Sequence, residues 1–250
     1  FQYVANNRIA EDPNAPREYQ IRAGSSYNAS GESGIDLTPA IGIDGPDMVE
    51  VDLNSHLYSM ELKLAKWAKE FEPEFEDFYL VAAEYRKELM NRYMFDKKTG
   101  LYFDYNFVKG EFEQTNFHFT CQWLPFIIGL STDKKACKLL LSKLEYEFGC
   151  ATTEKYEFKF DHQGAYPYSW PFDNYYAYRS LMNCGLKEDA ERVAMKYLTA
   201  CANSYTKTGH LWEVYSAIVD EVATKNEYPN AEMLGWTAGV YQYFYNELKK

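Results

Sequence analysis

The spacing of apolar residues changes near residue 50. From Val51 onward, apolar side chains recur every three or four positions, which is the spacing of an amphipathic helix. The first such series is Leu53, Leu57, Met60, Leu64 and Trp67. A second long helix is predicted in EPEFEDFYLVAAEYRKELMNRYMF, where Pro73 suits a first turn. Residues 1 to about 50 are rich in Gly, Pro, Asn, Asp and Ser without a sustained period, so we expect long loops there.

Five further helices are predicted towards the C-terminus. They lie near 120–129, in DKKACKLLLSKLEYEF, in PFDNYYAYRSLMNCG, in KEDAERVAMKYLTACANSYTKT and in WTAGVYQYFYNELKK. Asp52 or Asn54 could cap the helix that begins near Val51, and Asp133 or Thr132 the one near 134. Long loops separate the helix pairs, and loops beyond about 12–15 residues are usually functional. The pattern predicts an all-α fold, a toroid of helical hairpins in which each pair packs against its neighbours.

Composition and charge narrow the possible partners. The net charge is −11, and the chain lacks a block of Lys or Arg, so phosphate backbones and anionic lipid surfaces would repel it. No apolar run reaches the roughly 20 residues that span a bilayer. We therefore expect neither nucleic acid nor a membrane as a partner. Aromatic residues make up 18% of the chain, and they suit a core or a surface that stacks on sugar rings.

The five cysteines are widely and irregularly spaced. An odd number without CxxC pairs argues against a disulfide framework or a zinc site. Buried free thiols in a reducing compartment are the simpler interpretation and favour the cytoplasm, although removal of a signal peptide would leave this same chain. Because the first residue is Phe1, we expect a processed, trimmed or partial chain.

Candidate chemistry lies in loop carboxylates that accompany aromatic residues. The acids are Asp36, Glu213, Glu227 and Glu232, and the tryptophans in or beside these loops are Trp170, Trp212 and Trp236. Each acid alone is more often a helix cap or a solvated charge. Together, separated carboxylates facing a stacking surface are the minimum equipment for glycoside hydrolysis.

Other chemistries have weaker support. The four histidines lack HExxH or HxH spacing, so a metal hydrolase is not predicted. GxSxG, GxGxxG and Walker sequences are absent, and nothing in the sequence indicates a cofactor. We expect a small carbohydrate as substrate.

The motifs as a set resemble those of the trehalase family of inverting glycoside hydrolases. They are, in order, ESGID, VDLNSHLY, GLYFDY, GAYPYSWPF, LWEVYS and NEYPNAEMLGWTAGVY, and they span about residues 15 to 245. The resemblance implies an (α/α)6 barrel, with residues 1–250 forming about the C-terminal two-thirds of one catalytic domain. Residues 1–50 would be a loop-rich active-site segment and 51–250 paired helices. The barrel would be incomplete at the N-terminus, and a missing segment or a second chain would complete it.

The resemblance also assigns roles to individual residues. Asp36 would be the general acid and Glu213 the general base, with the two carboxyl groups about 6.5–9.5 Å apart to admit a water molecule. Substrate-binding positions would be Arg17, Gln163, Trp170, Trp212, Glu227, Glu232 and Trp236.

Four features depart from the family pattern, and one is the absence from LTPAI of the arginine that follows ESGWD in the family. Ile35 replaces the tryptophan of ESGWD, Val214 replaces the lysine after the base, and the arginine-bearing RPESYRE signature corresponds only loosely to APREYQIR. Two alternatives to trehalose hydrolysis therefore stay open. One is an (α/α)6 glucosidase with another disaccharide or glycan as substrate, and the other is a sugar-binding descendant that no longer catalyses hydrolysis.

Overall fold

The computed structural model describes residues 14–32, 35, 38, 42–112, 118–156, 162–223, 229–232 and 235–250. Within these ranges the α-helices are α1 (Arg17–Glu32), α2 (Val51–Phe71), α3 (Glu76–Tyr93), α4 (Leu124–Ile127), α5 (Lys134–Leu144), α6 (Pro171–Asn183), α7 (Lys187–Thr208) and α8 (Gly235–Glu247). Three 3-10 helices cover Gly42–Asp47, Pro73–Phe75 and Thr120–Trp123. Short strands are β1 (Met48–Val49), β2 (Phe95–Asp96), β3 (Leu101–Tyr102), β4 (Tyr105–Asn106), β5 (Glu111–Phe112), β6 (Tyr168–Ser169) and β7 (Tyr215–Ser216).

The helices from α2 onward form where the apolar spacing predicts them. Asp133 is the N-cap of α5, and its carboxylate accepts hydrogen bonds from the backbone N–H groups of Lys135 and Ala136. Pro171 opens α6, a position where its missing N–H costs nothing. Gly100 ends the turn after α3 with a φ of 74°, in the left-handed region that favours glycine.

The prediction of loops throughout residues 1–50 is wrong for residues 17–32, which form α1. The local sequence of this helix favours helix formation only weakly, and contacts with residues distant in sequence support it instead. The Arg22 guanidinium binds the carboxylates of Asp44 and Asp47 in the following 3-10 helix. These ion pairs hold α1 against the Gly42–Asp47 turn.

The start of α2 is also capped from a distance. The backbone N–H of Val51 donates to the Asp104 carboxylate at 2.8 Å, and that of Leu53 donates to Asp52 at 2.6 Å. Asp104 follows β3 and lies 53 residues away in sequence. The segment between β3 and β4 therefore fixes the N-terminus of α2.

The helices pack as a series of neighbours. Helices α2 and α3 form a hairpin, α2 contacts α4, α4 contacts α6, α6 packs on α7, and α8 contacts both α6 and α7. The main core lies between α5, α6, α7 and α8 and includes the fully buried Trp123, Leu140 and Tyr197. This arrangement confirms the predicted all-α array of helical hairpins.

Candidate active site

A short strand pair brings two sequence-distant motifs together. Strands β6 and β7 are antiparallel, with Tyr168 opposite Ser216 and Ser169 opposite Tyr215. The next two residues along this register, Trp170 and Val214, belong to one buried cluster. Glu213, the predicted base, is therefore adjacent to the segment that carries Trp170.

Trp170 is held by three segments. Its backbone N–H donates to the Asp173 carboxylate at 2.9 Å, and its indole N–H donates to the Gln163 carbonyl at 2.8 Å. Asp173 is fully buried and also accepts from the Thr152 hydroxyl at 2.9 Å, and burial raises the pKa of its carboxyl to about 7. These bonds leave the Trp170 ring little freedom.

Trp170 belongs to an aromatic cluster formed with Phe172, Tyr176 and Trp236. The ring centroids of Trp170 and Trp236 are 5.7 Å apart, and Phe172 lies 5.9 Å from Trp236 and 5.8 Å from Tyr176. Trp170 is buried, whereas Trp236 is 42% exposed. Trp236, at the start of α8, thus presents aromatic surface to solvent, while the buried Trp170 packs against its inner side.

The predicted base segment is fixed through its backbone. The Glu213 N–H donates to the Ala231 carbonyl at 2.8 Å, and an isolated β-bridge pairs Trp212 with Glu232. The Glu213 side chain is half-buried. The LWEVYS motif and residues 229–232 therefore lie side by side, as a shared site requires.

Trp212 and Glu232 point towards another neighbour. The Trp212 indole N–H donates to the Thr208 hydroxyl at 3.0 Å, and its ring contacts His210 edge-on. The exposed Glu232 carboxylate lies 3.6 Å from the His210 ring nitrogen. Trp212 is thus held against the end of α7 and Glu232 beside His210.

The remaining predicted residues are placed differently. Gln163 is buried, and its side-chain oxygen has no hydrogen-bond partner among the described residues. Arg17 is exposed at the first turn of α1. Asp36 and Glu227 lie outside the described residues, so their predicted roles stay predictions.

The two described residues closest in sequence to Asp36, which are Ile35 and Thr38, line a small open cleft. The rest of the lining is Glu50, Asp52, Asp104, Phe119 and Cys121. We call this the acid cleft, because three of its side chains are carboxylates. Ile35, within the ESGID motif, packs against Phe119 and Cys121.

The carboxyl groups of the acid cleft resist ionisation. Burial, reinforced by the charges of Asp52 and Asp104, raises the pKa of Glu50 to about 8. Burial likewise raises the pKa of Asp104 to about 7 and that of Asp52 above its ordinary value. The Cys121 thiol donates to the Asp52 carboxylate at 3.5 Å. Near neutral pH the cleft therefore retains protons and can both donate and accept hydrogen bonds.

Tyr176 connects the acid cleft with the aromatic cluster. Its ring contacts Phe172, and its pKa is raised to about 12 mainly by burial, with smaller contributions from Cys121, Asp173 and Asp52. The 3-10 helix Thr120–Trp123, which carries the cleft residue Cys121, packs against α6, which carries Phe172 and Tyr176. The two features thus adjoin and form one candidate site.

The geometry adds functional candidates that we did not assign from the sequence. Glu50, Asp52 and Asp104 lie in or beside the EVDLN and GLYFDY motifs. The sequence did contain a sign of these sites, because each acid stands between apolar residues at the edge of a helix or strand. Among the residues that the structure describes, no group of three or more His, Cys, Asp or Glu side chains could hold a metal ion.

Comparison with known proteins agrees with the fold and with the order of motifs. The sequence model of the Trehalase family matches residues 26–249. The cytosolic neutral trehalase of Kluyveromyces lactis is 30% identical over 67% of this chain and 24% of its own length. That of Emericella nidulans is 26% identical over 85% of this chain and 33% of its own length. The chain therefore spans about a quarter to a third of these curated relatives.

Solved structures share the arrangement of helices. The neutral trehalase of Saccharomyces cerevisiae superposes with a TM-score of 0.66 at 23% identity, covering 80% of this chain and 38% of that one. A mannosylglycerate hydrolase of Thermus thermophilus superposes with a TM-score of 0.59 at 17% identity, covering 80% and 46%. Both likenesses support the predicted (α/α)6 fold.

Two further findings concern the chain as a whole. Across the parts of the chain that the structure describes, no helix combines the length and apolarity needed to cross a bilayer. The family match covers most of the sequence and includes both strand-paired motifs of the candidate site. The chain belongs to the trehalase family.

Proposed function

We propose that this chain supplies active-site residues to a glycosidase that hydrolyses trehalose, or a related α-linked glucoside, with inversion at the anomeric carbon. The observation that carries the proposal is the β6–β7 pairing, which sets the Glu213 segment beside Trp170 and its aromatic cluster. Membership of the trehalase family supports the substrate class.

In the proposed mechanism, Asp36 protonates the departing glycosidic oxygen. It needs a raised pKa to hold its proton near neutral pH. The acid cleft offers a reason, because Ile35 and Thr38 on either side of Asp36 line a space that already contains three carboxyl groups. Like charges and burial both disfavour a further ionised acid there.

Glu213 takes the role of general base. It would remove a proton from the water molecule that attacks the anomeric carbon on the face opposite the leaving oxygen. The attack displaces the glycosidic oxygen, which leaves with the proton from Asp36. The half-buried Glu213 is rigidly supported through its backbone bond to Ala231, which suits a group that must hold one orientation.

The stereochemistry of the products tests this mechanism. With the protein produced from its natural gene and α,α-trehalose as substrate, inversion releases one α- and one β-glucose per event. Proton NMR in the first minutes should therefore give equal anomers. An initial product that is entirely α-glucose would exclude inversion. Absence of glucose release from trehalose and from a panel of other α-linked glucosides would exclude hydrolysis.

One departure from the family pattern favours a test of substrate choice. Ile35 stands where the family has tryptophan, and it packs inside the acid cleft against Phe119 and Cys121. A smaller side chain there alters the shape of the acid cleft. We therefore include other α-linked disaccharides in the panel, and higher kcat/KM for one of them would reassign the substrate.

Trp236 offers a separate prediction about sugar binding. Replacing it with Ala should raise KM about two- to twelvefold, because stacking on an exposed ring contributes about 0.5–1.5 kcal/mol. Tyr245→Ala is the matched control, since Tyr245 lies on the same helix and is also 42% exposed but lies outside the aromatic cluster. Steady-state kinetics distinguish the two variants. Equal KM values for both would remove Trp236 from the sugar site.

A further inference from the structure

The predicted base, Glu213, lies in a short segment between α7, which ends at Thr208, and β7, which begins at Tyr215. This segment therefore lacks the regular backbone support that a helix or a continuous strand would give it. Its hydrogen bonds come largely from side chains. The direction of the Glu213 side chain thus depends on the residues that supply these bonds.

Two buried side chains hold the residue before the base. The Trp212 N–H donates to the Tyr215 hydroxyl at 3.0 Å, and the Thr237 hydroxyl donates to the Trp212 carbonyl at 2.8 Å. Both Tyr215 and Thr237 are buried. The backbone on the N-terminal side of Glu213 is therefore held by groups that solvent does not reach.

A single amide side chain holds the residue after the base. The Asn230 Nδ2 group donates to the Val214 carbonyl at 2.7 Å, and the Val214 N–H donates to Asn230 Oδ1 at 3.3 Å. The same Nδ2 group donates to the Ala223 carbonyl at 2.9 Å. Both N–H groups and the oxygen of the amide are thus used. Asn230 bonds Val214 as the backbone of a neighbouring strand would.

Asn230 also stands next to the residue that bonds the base itself. The Glu213 N–H donates to the Ala231 carbonyl at 2.8 Å, so two consecutive residues bind two consecutive residues of the base segment. Val214 is fully buried and belongs to one buried cluster with Trp170. Asn230 therefore fixes the residue that follows the base and contacts the aromatic side of the candidate site.

We propose that Asn230 is a positioning residue for Glu213, because its amide fixes the backbone of Val214 and thereby the direction of the Glu213 carboxylate. The assignment rests on the proposed function, in which Glu213 removes a proton from the attacking water. A general base acts only within hydrogen-bond reach of that water. A displacement of about 1 Å can lower the rate about 100-fold. Asn230 acts through Val214 and not on the reacting atoms.

Asn230→Ala removes all three amide bonds and should lower kcat about 10- to 100-fold. KM should stay within about twofold of the wild-type value, because Trp170 is held separately by Asp173 and Gln163. Steady-state kinetics with α,α-trehalose, or with the α-linked glucoside of the panel that is hydrolysed fastest, measure both constants. An unchanged kcat, or a change confined to KM, would overturn the assignment.

The double variant Asn230→Ala with Glu213→Gln shows whether Asn230 acts through the base. Once the carboxylate is gone, its direction no longer matters, so adding Asn230→Ala should change the residual kcat of Glu213→Gln by less than about twofold. A further tenfold fall would mean that Asn230 acts independently of Glu213, and would overturn the assignment. Wild-type turnover in Glu213→Gln alone would contradict the proposed base, whereas wild-type turnover in Asn230→Ala alone contradicts only the role of Asn230.

Asn183→Ala is the matched control for the loss of amide bonds. The Asn183 Nδ2 group also donates to two backbone carbonyls, those of Phe126 and Ile127, at 3.0 and 2.9 Å. Asn183 is the last residue of α6, at the opposite end of that helix from Trp170. We expect its kcat to stay within about twofold of the wild-type value. An equal loss of kcat in both alanine variants would indicate a purely structural role for Asn230.

Asn230→Asp provides a second variant in case the alanine variant does not fold. It keeps the size of the side chain and the acceptor for the Val214 N–H, but an ionised carboxylate cannot donate to the Val214 and Ala223 carbonyls. With an unchanged circular dichroism spectrum, its kcat should still fall about fivefold or more. A folded Asn230→Asp variant with wild-type kcat would contradict the positioning role.

Discussion

Glu213→Gln is expected to lower kcat for glycoside hydrolysis by about 100- to 10,000-fold, the usual contribution of a general base. The amide keeps the size of the side chain but cannot accept the proton of the attacking water. The fold should persist, since the bond that fixes this segment comes from the backbone N–H of Glu213. Glucose release measured under substrate saturation gives the effect on kcat.

The matched control for this variant is Glu221→Gln. Glu221 lies in the same loop region, is exposed, and contributes backbone bonds to Ser216 and Val219. We expect its kcat to stay within about twofold of the wild-type value, because surface changes of this kind touch no reacting group. Circular dichroism should be unchanged for both variants. If Glu213→Gln retains wild-type turnover, the base must be assigned to another residue.

The acid cleft predicts an unusual pH dependence of stability. Glu50 and Asp104 have folded-state pKa values raised to about 8 and about 7, so between about pH 4 and pH 8 the folded chain holds protons that the unfolded chain has released. The slope of the free energy of unfolding against pH is set by the number of protons bound in the unfolded state minus the number bound in the folded state. Here that difference is negative, so the free energy of unfolding must fall as pH rises through this window. The stability is restored when the pH is lowered towards 4.

Asp104→Asn should remove part of the fall in the free energy of unfolding at high pH. The amide oxygen can still accept the hydrogen bond from the Val51 N–H, but the side chain no longer ionises. At pH 8 we expect a gain of about 2–4 kcal/mol over the wild type, and near pH 4 almost none. Denaturant unfolding at a series of pH values measures both.

Asp220→Asn is an opposite control for the pH series. Its pKa is lowered by the hydrogen bond from Lys207, so its carboxylate stabilises the fold above about pH 4 and that contribution is lost on acidification. The variant should be slightly less stable than the wild type at pH 8. A gain at pH 8 in Asp104→Asn that persists at pH 4 would mean that improved packing, and not charge, explains it.

The sequence predicts the helices better than it predicts their surroundings. The course of α2 and the start of α5 follow from local apolar spacing and from the Asp133 cap, which are properties of neighbouring residues. The prediction that Asp52 or Asn54 caps α2 is wrong, because both lie inside the helix, whose N-cap is Glu50. Helix α1 could not be found in this way, because REYQIRAGSSYNASGE contains poor helix formers and depends on the ion pairs of Arg22 with Asp44 and Asp47. Such contacts form only after folding.

The residues of the candidate site likewise divide into those that the sequence identifies and those that only the structure brings together. Family motifs identify Glu213 and Trp170, and the structure brings their segments together across β6 and β7. The convergence of Glu50, Asp52 and Asp104 into one cleft joins residues 50 and 104, which no local pattern links. The pairing of Arg86 with Glu61 likewise cannot be read from the sequence, although it holds α3 against the side of α2 that carries Glu61.

The two-residue pairing of β6 with β7 has a mechanical consequence. Because Tyr168–Ser169 and Tyr215–Ser216 are joined by backbone bonds, and the Ala217 N–H also donates to the Pro167 carbonyl at 2.8 Å, a displacement of either loop is transmitted to the other. Transient opening would detach the aromatic support and the predicted base, Glu213, in one event. Amide deuterium uptake should accordingly report a common protection factor for Ala217 and for the amides that bond β6 to β7, and thermal inactivation should affect affinity and turnover at the same temperature.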